Sequence, residues 1–206
     1  TSIGEYAFAG SSALTSVQIP AGVTQIEDYA FANCSALPAI TLPVGVTEIE
    51  KGVFLNCSSL RSVTLPQGMQ KVGDGAFANC TSLPSITLPL GLREIEKGVF
   101  SGCTSLASVS FPAAGLTDID EGAFYGCTAL KAATLPLGLR EIDKNAFWGC
   151  TSLTNVSIPA SVKEIKSGAF GGCTGLRSVT VGWTVPPMPR YPIFPSVPVA
   201  NVQLNV

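Results

Sequence analysis

The chain has 206 residues, of which 46% are hydrophobic and only 13% are charged, well below the roughly 25% of charged residues in an average soluble domain. This apolar content excludes a disordered chain, and no stretch approaches the roughly 18 uninterrupted apolar residues that a membrane span requires. The 12 basic and 14 acidic residues give a net charge of -2, so the chain has no basic surplus for nucleic acid or anionic lipid.

An internal repeat of 23 residues begins at the N-terminus and organises most of the chain. Phenylalanine recurs at this step, which is broken once by a step of 24 residues, and a cysteine follows three residues after every phenylalanine of the series except the first. A period of this length is typical of a solenoid, in which each repeat forms one coil and buries its apolar residues against neighbouring coils. The recurring phenylalanines are Phe8, Phe31, Phe54, Phe77, Phe100, Phe124, Phe147 and Phe170.

Each repeat predicts one strand, a turn and a short extended return segment. In one unit, apolar and polar residues alternate over Val63–Leu65, and Pro66 ends the strand because it has no N–H. Residues 67–72 then keep apolar residues three apart, as expected for an extended segment after a turn. A short helical segment or turn is expected through Ala76 and Phe77. Two residues after each phenylalanine stands Gly or Asn, which tolerate the left-handed conformation that closes such a turn.

The repeat unit resembles the BspA-like leucine-rich repeats of bacterial surface proteins. Its pattern, Leu-x-x-Val-x-Leu-Pro-x-x-Val-x-x-Ile-x-x-x-Ala-Phe-x-x-Cys, covers residues 1–181. The resemblance implies a right-handed leucine-rich repeat solenoid of about eight coils, with one parallel β-strand per coil on the concave face. It also implies export to the bacterial surface and a role in adhesion to host proteins or to other cells.

Four departures from the repeat pattern carry structural expectations. Ser11 stands in place of the first cysteine, and Ala133 replaces the usual Val or Ile of the strand. One extra residue is inserted near Ala114, where we expect a bend or bulge. Gly182 stands where the last proline should be, so we expect the regular stack to end there.

Prolines crowd the segment beyond the last repeat, and their density predicts that no further regular coil follows. We interpret residues 182–206 as a capping segment that lays Trp183, Ile193 and Phe194 over the open end of the core, because solenoids need covered ends. The alternating apolar residues over 199–206 predict an additional edge strand.

The seven cysteines invite a redox or metal interpretation, but their spacing favours a structural one. Zinc sites need pairs of ligands two to four residues apart, which a 23-residue step does not supply. Stacked coils place neighbouring thiols about 5 Å apart, yet parallel Cα–Cβ vectors do not give a disulfide dihedral. We therefore predict buried, reduced thiols and neither a metal nor another cofactor. The cysteines are Cys34, Cys57, Cys80, Cys103, Cys127, Cys150 and Cys173.

Charged residues fall in two columns away from the strand. In one column the charge alternates from coil to coil, which predicts ion pairs between coils, each contributing about 0 to 1 kcal/mol. The adjacent column stacks like charges and is a candidate calcium site or glycosidase carboxylate pair, which the neighbouring lysines and the absence of an implied cleft disfavour. The first column is Asp28, Lys51, Asp74, Lys97, Glu121 and Lys144; the second is Glu27, Glu50, Glu96, Asp120 and Asp143.

The residues on either side of the inward Val or Ile of each strand predict a flat face of short hydroxyl side chains. This face either docks an extended protein surface or serves only as a soluble, non-adhesive surface. Its mixture of Ser, Ala, Asn and Gln with Thr argues against an ice-binding lattice. The candidate binding residues at its centre are Ser62, Thr64, Ser85, Thr87, Ser108 and Ser110.

Tyr125 and Trp148 form a second candidate surface. They follow Phe in successive coils, at a position where the other coils carry Ala, Leu, Ser or Gly. If exposed, they constitute a binding hot spot, because aromatic side chains dominate interface energetics. The alternative is that they pack over the irregular coil created by the insertion near Ala114.

The functional prediction is a non-enzymatic, cell-surface or secreted module for adhesion-type protein–protein interaction. The lack of histidine excludes Ser-His-Asp and Cys-His nucleophile systems. The expected partner is a host matrix or bacterial surface protein, without nucleic acid and without membrane insertion. A carbohydrate-active enzyme or glycan-binding module using the acidic column, and a rigid spacer, are the alternatives. Because the chain starts inside a coil at Thr1, we expect a targeting segment to lie outside it.

Overall fold

The computed structural model describes residues 1–182, 192–197 and 203–205. Over these residues the chain winds into a parallel β-solenoid of about eight coils of roughly 23 residues, in which turns, and no helix, join the strands. The predicted solenoid is thus confirmed, and the segment through Ala76 and Phe77 is a turn. None of the described residues belongs to a helix that could cross a membrane.

Each regular coil contributes one short and one longer strand. The sequence predicted the longer strand; the structure adds a two-residue strand within the return segment, too short for an alternating pattern to reveal. The strands are β1 (Ser2–Ile3), β2 (Gln25–Ile26), β3 (Ala39–Thr41), β4 (Glu48–Ile49), β5 (Ser62–Thr64), β6 (Lys71–Val72), β7 (Ser85–Thr87), β8 (Glu94–Ile95), β9 (Ser108–Ser110), β10 (Asp118–Ile119), β11 (Ala132–Thr134), β12 (Glu141–Ile142), β13 (Asn155–Ile158), β14 (Glu164–Ile165), β15 (Ser178–Val181) and β16 (Gln203–Asn205).

The strands form separate parallel ladders on two sides of the core. The short strands pair in the orders β1-β2-β4-β6 and β14-β12-β10-β8, and the longer strands pair as β3-β5, β7-β9 and β11-β13-β15-β16. Equivalent residues face each other across each pair, as Ile40 faces Val63 and Ile119 faces Ile142. Each strand therefore pairs with the equivalent strand of the next coil without a shift in register.

The turns are joined by a third ladder of backbone hydrogen bonds. The N–H of Phe31 donates to the carbonyl of Val53 at 2.9 Å, and the same bond recurs at Phe77, which donates to Val99 at 2.9 Å. The predicted left-handed position is confirmed in these turns; Asn33, for example, has a φ of 61°. The insertion is absorbed by a bend at residues 113–115, as expected, with Gly115 at a φ of 93°.

A stack of phenylalanine rings runs through the centre of the core. Every ring of the repeat series from Phe31 to Phe170 is fully buried, whereas Phe8 at the N-terminal end is 38% exposed. Phe77 lies between Phe54 and Phe100, with ring centroids 5.3 and 5.7 Å away and nearly parallel planes. Valine, isoleucine and leucine columns surround the stack and complete a single hydrophobic core.

The cysteines form a buried column beside the phenylalanine stack. All seven are free and buried, as predicted, and each thiol donates a hydrogen bond to the phenylalanine carbonyl of the preceding coil. The Sγ of Cys57, for example, lies 3.2 Å from the carbonyl oxygen of Phe31. Desolvation by burial raises the pKa of Cys57 and of Cys103 to about 12. A thiol suits this site because it is a small hydrophobe that still carries a weak donor.

Residues 192–197 repeat the turn of the preceding coils, a feature that the density of prolines did not predict. Phe194 stacks on Phe170 at 5.4 Å, Ser196 has a left-handed φ of 63°, and Val197 is buried. The N–H of Gly168 donates to the carbonyl of Pro192 at 2.9 Å. The prolines are tolerated because this segment supplies carbonyl acceptors to the ladder, so their missing N–H groups cost no bond between coils.

Of the remaining expectations for the C-terminal segment, the packing of its apolar residues and the edge strand involve residues that the structure describes. Ile193 and Phe194 pack against the core, and β16 pairs in parallel with β15, as the predicted edge strand requires. Trp183 lies outside the described residues, and the division between solenoid and cap after residue 181 stays a prediction.

We expect Phe77→Ala to lower the free energy of unfolding by about 3 to 5 kcal/mol, as is usual for a buried large-to-small change. The variant loses two ring contacts and leaves a cavity in a close-packed stack. Urea unfolding followed by circular dichroism measures the loss. Phe8→Ala is the matched control and should cost less, because that ring is partly exposed at the end of the stack. A loss below about 1 kcal/mol for Phe77→Ala would contradict a central role for the stack.

We also expect the native thiols to be inert. Ellman's reagent needs an accessible thiolate, and burial together with the raised pKa values of Cys57 and Cys103 denies it one. Few or none of the seven thiols should react before unfolding, and most of them should react in denaturant. Fast labelling of the native protein at several thiols would overturn the buried column.

Candidate interaction surfaces

The longer strands present a continuous hydroxyl face. The residues predicted for its centre, Ser62, Thr64, Ser85, Thr87, Ser108 and Ser110, are all exposed. They flank an inward residue on each strand, of which Ile86 is buried and Val63 is half-buried. Parallel register sets Ser85 beside Ser108 and Thr87 beside Ser110, at a strand spacing of about 4.8 Å. Side chains of this size leave the centre of the face flat.

Tyr125 and Trp148 are positioned differently from each other. The Tyr125 side chain is 45% exposed, as a contact residue must be. Trp148 is half-buried, and its indole covers the following coil so closely that a Cβ at Gly171 would collide with ring atoms Cε3 and Cζ3. The tryptophan thus packs forward onto a glycine of the following coil. Of the two, Tyr125 offers more of its surface to a partner.

Sequence reasoning missed a second aromatic pair, Tyr6 and Tyr29. Their rings stack with centroids 5.2 Å apart and planes 7° from parallel, and Tyr6 is 55% exposed. Both residues have a φ of 55°, a left-handed conformation that is unusual for bulky side chains. The signal was present in the column two residues before Phe, which otherwise holds only Gly and Asn.

A row of exposed aliphatic side chains was also missed. Val44, Leu90 and Leu137 each follow the proline that ends a longer strand, and all three lie mostly in solvent. Their signal is a large aliphatic residue after proline in every second coil, which alternation within the strands does not reveal.

Three asparagines form a side-chain ladder on the turns. The Nδ2 of Asn56 donates to the Oδ1 of Asn33 at 2.9 Å, and that of Asn79 donates to the Oδ1 of Asn56 at 2.9 Å. The amide of Asn79 then occupies the space that a Cβ at Gly102 would need. Because these amides satisfy one another, we assign them a structural role.

The charged columns form fewer direct pairs than the alternating pattern suggests. Among the described residues, the predicted column contains one side-chain ion pair, Lys97 with Glu121 at 2.9 Å. Two further pairs join different columns: Lys71 meets Glu50 at 2.7 Å, and Lys166 meets Glu141 at 2.6 Å. Lys166 also meets Asp143 at 2.8 Å, straight down the like-charged column, which Lys166 continues one coil further on. The diagonal partners cannot be identified from a column read straight down the repeat.

The like-charged column lies on the short-strand side of the solenoid. Partial burial and then the nearby carboxylates of Glu94 and Asp143 raise the pKa of Asp120 to about 6. Glu96, Asp120 and Asp143 each follow a strand of one ladder, so their carboxyl groups lie side by side and do not face each other across a cleft. Within the described residues, no group of three or more Cys, Asp or Glu side chains is arranged to hold a metal ion.

Comparisons with known proteins agree with this geometry. The family described as the BspA type leucine rich repeat region matches the chain over residues 1–119 and 113–191. The crystal structure of a leucine-rich repeat protein from T. pallidum is similar, with 31% identity, a TM-score of 0.69, and coverage of 75% of this chain and 72% of that one. Among curated proteins, no significant match exists.

Two longer bacterial structures are also similar. A leucine-rich repeat protein from Bacteroides ovatus has 25% identity and a TM-score of 0.55, over 92% of this chain and 63% of that one. One from Eubacterium ventriosum has 28% identity and a TM-score of 0.71, over 82% of this chain and 44% of that one. The chain therefore spans less than two thirds of either protein.

The environment of Asp120 predicts a pH dependence of folding. Its pKa of about 6 in the folded protein exceeds the ordinary value of about 3.9, so the folded state binds this proton more tightly. The contribution of Asp120 to stability is therefore lost as the pH rises from about 4 to about 6. We expect Asp120→Asn to be more stable than the parent at neutral pH, with the difference shrinking near pH 4, in urea unfolding at each pH.

Glu96→Gln provides a companion measurement. Burial also raises the pKa of Glu96, so this variant should change the pH profile in the same direction. A constant difference between Asp120→Asn and the parent across this range would show that ionisation of Asp120 does not burden the fold.

Proposed function

Because the chain belongs to the BspA-type leucine-rich repeat family, whose repeats are typically protein-interaction modules, we propose that it is a non-enzymatic, adhesion-type module. Its partner class is a host matrix protein or a bacterial surface protein, met on the bacterial surface or after secretion. The exposed ring of Tyr125 beside Trp148 is the observation that carries this proposal.

Tyr125 is presented on a rigid backbone. Its N–H donates to the carbonyl of Gly122 at 2.9 Å, and its carbonyl accepts the N–H of Gly102 from the preceding coil at 2.7 Å. The carbonyl of Trp148 likewise accepts the N–H of Gly126 at 2.7 Å. A side chain held this way loses little backbone freedom on binding, so more of its contact energy is retained as affinity.

The hydroxyl face contributes area in this proposal and Tyr125 contributes affinity. Truncation of an aromatic anchor in an interface commonly costs about 2 kcal/mol or more, and Ser and Thr are under-represented among such hot spots. A flat face of short side chains can still exclude water around an anchor and accept an extended protein surface.

The alternative functions receive less support from the same geometry. An enzyme or glycan-processing site would need carboxyl groups on opposite sides of a substrate, whereas Glu96, Asp120 and Asp143 lie along one ladder. A rigid spacer does not account for a large exposed aromatic ring in a column where six of the eight coils carry Ala, Leu, Ser or Gly.

The experiment that tests the function is capture from defined extracts. The immobilised protein is exposed to host extracellular matrix and, separately, to bacterial surface proteins, and retained proteins are identified by mass spectrometry. Reproducible, saturable binding of one protein supports the proposal. A failure to retain any protein from either extract would favour the spacer.

For the partner so identified, we expect Tyr125→Ala to weaken binding by about 2 kcal/mol or more, measured by calorimetry or surface plasmon resonance. Trp148→Ala should also weaken binding, whereas Trp148→Phe should retain much of the affinity because it keeps an aromatic ring over Gly171. Tyr6→Ala is the matched control, since it removes an exposed tyrosine far along the solenoid and should have little effect.

The double variant Thr64→Lys/Thr87→Lys separates the two candidate surfaces. Circular dichroism must first show that every variant is folded. If the double variant abolishes binding while both aromatic truncations leave it intact, the hydroxyl face is the binding site and the choice of Tyr125 and Trp148 is wrong.

A further inference from the structure

The first and the last of the repeated longer strands differ in what lies beside them. On the far side of β15, β16 adds in parallel and sets Leu204 opposite Val179. β3 pairs with β5 on one side, but residues 15–19 of the first coil, which lie one repeat before β3, form no strand. One edge of β3 is therefore uncovered, and an uncovered edge is a template for pairing with another chain.

Pro38 explains why residues 15–19 do not join β3. Where the ladder continues, the residue at this position donates its N–H to the equivalent carbonyl of the preceding coil, as Arg61 donates to Pro38 at 2.8 Å. Proline has no N–H to donate, so the carbonyl of Thr15 receives no such bond. Pro84 stands at the same position two coils further on, and there β5 and β7 belong to separate sheets.

The main-chain groups on the uncovered edge of β3 are those of Ala39 and Thr41. Successive residues of a parallel strand direct their N–H and carbonyl groups to opposite neighbours, and Leu42 donates its N–H to Thr64 on the β5 side at 3.1 Å. Ala39 and Thr41 therefore face the first coil, where neither has a hydrogen-bond partner among the described residues. Two N–H groups and two carbonyls are thus available in the spacing of one strand.

Residues 15–19 are held in place by side-chain packing alone. They make no hydrogen bond within the described part of the chain, and only Val17 and Ile19 pack against the core. A cleft of about 510 Å³ lies between residues 17–21 and β3, within the range of roughly 300 to 1,000 Å³ that is usual for ligand sites. Residues 15–19 can therefore move outward without breaking a hydrogen bond.

We propose that this cleft binds an extended segment of a partner protein, which adds to β3 as a parallel strand. Its main chain satisfies Ala39 and Thr41, as in other cases of strand addition. The chain's own strands define the side chains that fit: β13 occupies the same edge of β15, with Val156 opposite Val179 and a small polar residue on either side. The bound segment therefore directs an aliphatic residue towards the core, between small polar residues.

The cleft is separate from the surface of Tyr125 and Trp148. Its test uses a defined peptide and needs no adhesion partner, so a failure of either proposal leaves the other standing. The probe is an acetylated and amidated peptide with the sequence of residues 154–158, which includes most of β13.

Hydrogen exchange followed by NMR tests the uncovered edge. In the protein alone the amides of Ala39 and Thr41 should exchange fast, whereas that of Leu42, which is bonded towards β5, should exchange slowly. Addition of the peptide should slow the exchange of both edge amides. Slow exchange of both without peptide would show that residues 15–19 or a second copy already covers the edge, and it would overturn the proposal. Absence of protection by millimolar peptide would overturn it as well.

N-methylated peptides test the direction of the added strand. In a parallel pair, the residue that bonds to Ala39 and Thr41 lies between them in register and points to the core, as Val156 of the peptide does. In an antiparallel pair, it lies directly opposite one of them and points to solvent. N-methylation of Val156 should weaken binding about tenfold or more, and the matched N-methylation of Ser157 should have a smaller effect. The reverse result would overturn the parallel arrangement.

Two proline variants test the location of the site. Pro38→Ala returns an N–H to the start of the ladder, so residues 15–19 should pair with β3, protect the edge amides and weaken binding of the peptide. Pro84→Ala is the matched control, because it makes the same change two coils away and should bind the peptide like the parent. Equal binding by both variants and the parent would show that the peptide does not enter beside β3.

Discussion

The hydrogen bonds between equivalent residues of successive coils are the constraint on which the rest of the structure depends. The turns donate N–H groups forward, as Phe31 does to Val53, and the return segments donate them backward, as Gln70 does to Thr47. The cysteine thiols add a backward bond to the carbonyl of each phenylalanine of the repeat series from Phe8 to Phe147. A coil whose hydrogen bonds are satisfied on both sides must repeat its neighbour's register, which is why the phenylalanine rings stack. It is also why the inserted residue near Ala114 is accommodated in a bend, since the N–H of Phe100 still donates to the carbonyl of Ala123 in the next coil at 2.8 Å.

The features that the sequence predicted correctly are those that repeat in every coil. Phe and Cys recur at a fixed step because each must contact its equivalents, so periodicity alone identifies them as buried columns. Features that occur at only one place in the stack were harder to predict from the sequence. Two-residue strands are too short to show alternation, and the turn over residues 192–197 was hidden by prolines whose carbonyls serve the ladder as well as any others. The forward packing of Trp148 depends on a glycine in a different coil.

Candidate binding residues follow the same division between repeated and local features. The exposure of Ser62, Thr64 and their equivalents follows from alternation about an inward residue and could be predicted. The exposure of Val44, Leu90 and Leu137 could not, because their signal skips every second coil and lies in a turn. Diagonal ion pairs such as Lys166 with Glu141 were missed because long side chains cross columns. The interior is thus uniform from coil to coil, while the surface varies, and under the proposed function specificity for a partner would reside in that variation.

The asparagine ladder bears on how such a chain can change its length. In the column two residues after Phe, glycine is followed by asparagine at Gly10 and Asn33, and asparagine is followed by glycine at Asn79 and Gly102. The Asn79 amide fills the space that a Cβ at Gly102 would need. An asparagine coil can therefore be followed by another of its kind or by a glycine coil, and a glycine coil by either. At this column, duplication or deletion of 23 codons in the gene would then insert or remove a coil without requiring a compensating change in its neighbours. The column itself therefore places no limit on the number of coils, unlike Trp148, which needs a glycine in the coil that follows it.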